Sequence, residues 1–331
     1  MQNNWIIKWI LIAVLVSMLI LLVVVSFYKS VSEISQYEKD YPVLEPNEKL
    51  PNITIGWPGF WPLLVFEFEG PFPEMPDKMM VYKIVYPDPN QFTEDYVREL
   101  AEKYFDMPKD AKMSRSGGSL NLYWLKTDTH LFELAPRTGF FNIQKYEKAR
   151  KKRSEDRKDF PSDEECKKIA TDYLKSRGLF EDNSYGPSIV DNTSAGVMSV
   201  GFGQMVGKYK RSGSAGSLGI DIGPGGEIVS VGKQWLELAP WKIAPIKTAR
   251  EAFEQLKEGK AYVLNRIGGK ITKIELRYQL PGVEGYSVPV YWFDYSTPER
   301  FSYAVVPAVK DEYVEPREET FRRIDKRRTS Q

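Results

Sequence analysis

Few side chains in this 331-residue chain are equipped for covalent or acid–base chemistry, and their spacing narrows the field further. The single histidine, His130, stands in KTDTHLFEL, alternating in phase with Asp128, Phe132 and Leu134. A hydrolase triad needs an imidazole held between a nucleophile and a carboxylate. The alternation here predicts a strand histidine at the edge of a packed face. The single cysteine, Cys166, falls at an apolar helical position and is expected as a small buried hydrophobe. A reactive thiolate would need an exposed, cationic setting. One histidine and one cysteine rule out multi-histidine and cysteine-built metal sites, and no D-x-[DN]-x-[DN]-G loop offers calcium ligands. The expectation is no catalytic residue, no metal and no cofactor.

Glycine-rich stretches invite a phosphate-binding reading and fail it on spacing. In VGFGQMVGKY five residues separate Gly201 from the Gly207-Lys208 pair, where a P-loop has four. Tyr209 also stands where Ser or Thr would hold magnesium. GSAGSLGIDIGPGG does not fit G-x-G-x-x-G and lies between predicted strands rather than opening a helix. Turns and bulges are the expected use. The hairpin through Gly201, Gly203, Gly207, Lys208, Tyr209 and Arg211 is a candidate partner-binding surface. Acidic pairs such as Glu67/Glu69 and Asp221/Glu227 could serve a carboxylate-dependent hydrolase, but nothing around them departs from ordinary surface charge. Glu133 and Glu237 are expected to face solvent or pair with a neighbouring strand. The chain closes on FRRIDKRRTSQ, whose basic residues Arg322, Arg323, Lys326, Arg327 and Arg328 suit solvent, anionic lipid or an anionic wall polymer.

Lys plus Arg number 46 against 45 Asp plus Glu, so no global positive field favours a nucleic-acid partner. A hydrophobic fraction of 42% and an aromatic fraction of 13% are ample for packed cores and exclude a wholly disordered chain. Near the N-terminus, WILIAVLVSMLILLVVV carries no charge. A helix of roughly 20 apolar residues crosses a bilayer. Residues 1–28 are therefore predicted to form an uncleaved transmembrane signal anchor, in lipid contact through residues 5–28, with Trp5, Lys8, Trp9 and Tyr28 at the membrane interface. The exit VVVSFYKSVSEIS lacks the small residues of a cleavage site. Positive charges on the two sides nearly tie, so orientation follows the usual form of a signal anchor. That form is a single pass through the cell membrane, N-terminus in, with the soluble part extracytoplasmic.

The elements that would position any site follow from periodicity. Residues 29–62 read as a stalk, polar at first and then rich in proline. LLVFEFE and KMMVYKIVY read as strands. FTEDYVRELAEKYFD reads as a helix capped by Thr93, with Tyr96, Val97, Leu100, Ala101, Tyr104 and Phe105 in one apolar stripe. Sixty-nine residues on, Ser162 and Glu165 form a capping box, and that stripe from Val97 onward falls on Cys166, Ile169, Ala170, Tyr173 and Leu174. A third round opens at Thr248 and Glu251, with Ala252, Phe253 and Leu256 as its stripe. Strand-like segments follow each helix. The organisation read from this is a first α+β unit at 63–146, a charged linker at 147–159 and a second unit at 160–240 with the glycine-rich hairpin. A third unit at 241–310 and a charged disordered tail at 311–331 complete it. The word ELAP occurs at 133–136 and 237–240 and is read as marking equivalent strand ends in the first two units.

Several stretches resemble PepSY-like extracytoplasmic domains. They are MVYKIVYPDPNQFTEDYVRELAEKYF, IDIGPGGEIVSVGKQWLELAPW with IKTAREAFEQL, and ITKIELRYQLPGVEGYSVPVYWFDY. Over residues 78–309 the chain looks most like membrane-anchored accessory regulators of the YycH/YycI type. With the anchor, the resemblance implies an α+β fold: an N-terminal transmembrane helix followed by repeated helix-plus-antiparallel-sheet (PepSY/cystatin-like) units. It implies no shared catalytic residues. The expected role is non-catalytic binding that modulates a membrane sensor kinase or peptidase through protein–protein contact. A carboxylate-dependent envelope hydrolase and a wall-polymer-binding or spacer protein stand as alternatives.

Overall fold

The computed structural model describes residues 40–51, 64–116, 121–146, 149–150, 154–213, 216–264, 267–279, 285–297, 301–316 and 319. The chain opens with β1 (Phe66–Glu67), β2 (Lys78–Val85), helix α1 (Glu94–Phe105) and the strands β3 (Lys112–Arg115), β4 (Tyr123–Lys126), β5 (His130–Ala135) and β6 (Phe140–Lys145). Helix α2 (Asp163–Ser176) precedes β7 (Ser184–Asn192), β8 (Val197–Val206), β9 (Tyr209–Ser212), β10 (Gly216–Ile222), β11 (Ile228–Trp235) and β12 (Glu237–Pro245). Helix α3 (Ala249–Lys257) precedes β13 (Tyr262–Val263), β14 (Gly269–Gln279), β15 (Tyr286–Ser296) and β16 (Phe301–Pro307).

Among the described residues, the three α-helices named above start where their caps dictate. Thr93 accepts the amide of Tyr96, while Ser162 with Glu165 and Thr248 with Glu251 form reciprocal capping boxes. These bonds satisfy amides for which the first helical turn has no acceptor of its own. Val97 and Ala101 from α1 and Cys166, Ala170 and Leu174 from α2 are buried in one core with Phe132, Val200, Phe202, Leu218 and Val231. Strand alternation supplies the other side of that core. β8 buries Met198, Val200 and Phe202 on one face and turns Ser199, Gly201 and Gly203 to the other. Helix α3 sets Ala252, Phe253 and Leu256 into a second core with Leu276, Tyr278, Tyr291 and Phe293. On another face of those strands Val290, Trp292 and Val305 are covered by Leu44 and Leu50. Thus residues 40–51, read from sequence as stalk, lie along the sheet, with bridges Val43↔Ile243 and Leu50↔Val314.

The expected fold class is corrected. The strands form one mixed 16-stranded sheet, ordered β12-β2-β15-β14-β9-β8-β10-β11-β6-β5-β4-β3 along its main path, rather than a series of helix-plus-sheet units. The reason is edge pairing. β6 pairs with β11, so α1 and α2 share one core across the charged linker, and β12 leaves that region to pair with β2 along its length. Edges that separate units would expose are thereby satisfied. The two ELAP words are not equivalent either: Glu133 to Ala135 finish β5, whereas Glu237 to Pro240 open β12. The single-pass, signal-anchored architecture is also corrected, since among the described residues no helix is long and apolar enough to cross a membrane. The 14 residues of α2 reach only about 21 Å, against roughly 30 Å of hydrocarbon. Residues 1–28, with Trp5, Lys8, Trp9 and Tyr28, lie outside the described residues.

One shared core makes a mechanical prediction. Phe132 lies between Phe105 and Phe141 and is almost wholly buried. Phe132→Ala is expected to destabilise by about 3–5 kcal/mol in denaturant titration. Hydrogen exchange followed by mass spectrometry should show α1 and α2 losing protection together. Loss in α1 alone would contradict the shared core.

Candidate functional site

The face of the first sheet region opposite the helices carries an unusual row. Gly201 of β8 is registered with Gly219 of β10, which is registered in turn with Gly232 of β11. Registered residues share a face. Each glycine alternates with a core residue: Val200 and Phe202, Leu218 and Ile220, and Val231 all point to the helices. The result is a floor without side chains across three strands, flanked by Ser188 on β7 and Asn142 on β6. A Cβ at Gly219 would meet nothing within 4 Å. Gly203, one step along β8, has a different use. A Cβ there would overlap Cζ of Tyr185, whose ring crosses the strand and whose hydroxyl donates to the Arg211 carbonyl at 3.2 Å.

This floor bounds a cleft of about 500 Å³. Its far wall is a tiled stack from the second region. The Arg277 guanidinium lies 4.2 Å from the Trp292 ring, and Trp292 stacks on Tyr303 at 3.9 Å between centroids. Glu275 accepts from Arg277 Nη2 at 2.7 Å, and Asp294 accepts from Trp292 Nε1 at 2.8 Å. Burial opposes ionisation of Glu275, but hydrogen bonds from Lys273 and Arg277 outweigh it and hold its pKa below the usual carboxylate value.

β9 ties floor to wall. It pairs with β8 through Met205↔Lys210 and Val206↔Tyr209, and with β14 through Tyr278↔Arg211 and Gln279↔Ser212. Arg211 therefore shares the face of Tyr278, beneath the cleft, while Ser212 shares the face of Arg277 and Gln279, toward it. The Arg211 side chain is 1% exposed, and its Nη1 donates to the Gln204 side chain and to the Leu236 carbonyl. Gly216 leaves room for it, since a Cβ there would fall 2.8 Å from Arg211 Cδ. Burial lowers the Arg211 pKa to about 10, against a smaller opposing influence from Tyr86. Among the described residues, Nε and Nη2 of Arg211 and the Ser212 hydroxyl have no hydrogen-bond partner.

Of the six hairpin residues picked from sequence, Gly201, Gly203 and Arg211 line the cleft. Gly207 and Lys208 form the exposed β8–β9 turn, with Gly207 at φ 57°, and Tyr209 packs edge-on against Tyr278. Sequence reasoning missed Gly219, Gly232, Ser212, Tyr185, Arg277 and Trp292. The available signal was glycine alternating with large apolar residues in VGFG, SLGI and SVGK, which becomes a row only once the three strands are in register.

The other candidates are dispersed into structural roles. His130 Nδ1 lies 2.8 Å from Thr129 Oγ1, and burial, then the Lys145 charge, lowers its pKa against Glu227. Cys166 is wholly buried and its thiol pKa is raised chiefly by that burial. Asp221 accepts from Ser199 and Ser230, Glu227 pairs with Lys145, and Glu69 pairs with Lys270. Glu133 accepts from Trp124 Nε1 at 2.8 Å, and Glu237 is exposed. Among the described residues no group of three or more His, Cys, Asp or Glu could hold a metal ion. No family model matches the chain. A search of curated proteins finds no match.

The glycine geometry separates two substitutions. Gly203→Ala should displace Tyr185 and destabilise by about 1–3 kcal/mol, whereas Gly219→Ala should be neutral or stabilising by up to about 1 kcal/mol. Denaturant midpoints of the two variants check this. His130 yields a pH prediction. Its folded pKa lies below the unfolded value of 6.5, so the unfolded state binds more protons as pH falls through 6.5. Stability should therefore fall below pH 6.5, and His130→Gln should flatten that part of the profile.

Proposed function

We propose that this chain is a non-catalytic binding protein that modulates a protein partner through the glycine-floored cleft. The carrying observation is the Gly201–Gly219–Gly232 row in register. Glycine in a strand interior forfeits side-chain packing and adds backbone entropy to the folding cost, and it recurs where a ligand or another backbone approaches closely. Three of them, aligned on one face beneath a wall of stacked Arg277 and Trp292, are better explained by close approach of a partner than by internal packing. The sheet region around them is held by paired strands on both sides of β8, β10 and β11, which keeps the floor rigid. The resemblance to PepSY-like regulators supplies the partner class, a sensor kinase or a peptidase.

Gly219→Leu tests the reading, because a Cβ at this position meets nothing within 4 Å and the added side chain would occupy the floor of the cleft. The full-length chain and this variant would each be crosslinked in the native cells and the captured proteins identified by mass spectrometry. A recurrent partner captured by the parent and lost from an equally stable variant is expected. Identical captures from both would place the functional surface elsewhere.

A further inference from the structure

We propose that the cleft takes a carboxylate, presented by the acidic side chain of an extended partner peptide lying along the Gly201–Gly219–Gly232 floor. This deepens the reading of the chain as a protein-binding module and rests on it. Among the described residues the lining holds Arg211 and Arg277 and no acidic residue, and Lys233 lines it with its side chain turned to the helix face. Lys233 is paired with Glu181, and Arg277 with Glu275 and, at 3.7 Å, Asp294, but none of these carboxylates lines the cleft. Arg211 has no carboxylate partner among the described residues: its Nη1 is spent on an amide oxygen and a main-chain carbonyl. A guanidinium whose charge is uncompensated, lying beneath a floor of low polarisability, projects a positive potential into the cleft above it.

A second observation points the same way. Ser212 is 6% exposed, and its hydroxyl, on the cleft side of β9, has no partner among the described residues. A buried donor without an acceptor is unfavourable in the free protein, and a carboxylate oxygen relieves that. Arg277 stands two residues before Gln279, the register partner of Ser212, so the hydroxyl and the guanidinium flank one end of the cleft. The ligand's backbone is fitted by the floor. The outer glycines are separated by two strand spacings, about 10 Å, the span of about three extended residues. With no side chain between them, a peptide main chain can lie flat while one acidic side chain reaches the Ser212–Arg277 end.

Calorimetric titration of the full-length chain with acetyl-Ala-Glu-Ala-amide, its Gln counterpart and free glutarate tests this. The Glu peptide is expected to bind at least about tenfold more tightly than the Gln peptide, with affinity falling as salt is raised. Binding should be lost in Gly219→Leu and weakened in Ser212→Ala, both with a thermal midpoint no lower than the parent's. Equal binding of the Glu and Gln peptides would overturn the carboxylate while leaving a protein-binding cleft in place. Tighter binding of glutarate than of the Glu peptide would overturn the peptide occupant in favour of a free small carboxylate. No heat from any of the three would overturn the site itself. Crosslinking with Gly219→Leu would still judge the broader reading separately.

Discussion

Arg211 is the point on which this architecture turns. The two sheet regions meet through β9, only four residues long, with two registered pairs to each neighbour. Four ladder pairs are a slender seam between two large cores. The buried guanidinium reinforces it by bonding the Gln204 side chain on β8 and the Leu236 carbonyl in the β11–β12 connection, so three chain segments share one donor group. Removing a cation from water is expensive, and the lowered pKa of Arg211 records that expense. The return is geometric. With Arg211 held on one face, strand alternation delivers Ser212 to the other, and the wall built on β14 and β15 stands at a set height over the glycine floor.

The same region shows stability set against access. β8, β10 and β11 occupy the middle of the sheet, where β-branched side chains on both faces would give the firmest packing. Their helix-facing positions follow that rule, with Val200, Ile220 and Val231 fully buried. Their other face abandons it at Gly201, Gly219 and Gly232. Further along the same face the pattern becomes polar and self-satisfied, Asp221 accepting from Ser199 and Ser230. The open floor is thus confined to one stretch, between a closed polar cluster and the Tyr185 ring that Gly203 admits.

Much of the local structure was legible. Thr93, Ser162 and Thr248 announce the helix starts through side-chain chemistry that operates within four residues, and the apolar stripes of Val97, Cys166 and Phe253 follow from helical period alone. Cys166 and His130 were legible for a similar reason, since their neighbours in sequence already define an apolar stripe and a strand edge. The cleft was half legible. Gly201, Gly203 and Arg211 stood out as an unusual cluster, but Gly219, Gly232, Arg277 and Trp292 are distant in sequence and unremarkable one at a time.

By itself, then, the sequence missed β7 and ran β11 into β12, but it determined where α1, α2 and α3 start, which of their faces are apolar, and how few residues could carry chemistry. These depend on interactions between residues a few positions apart. Tertiary structure alone decided that β6 joins β11, that β12 crosses to β2, and that the identical words ELAP serve one strand's end and another's beginning. Strand pairing is chosen by which free edges can satisfy each other's amides and carbonyls, and every backbone offers the same groups whatever its side chains. That choice brought three scattered glycines into one row and set a buried arginine beneath them.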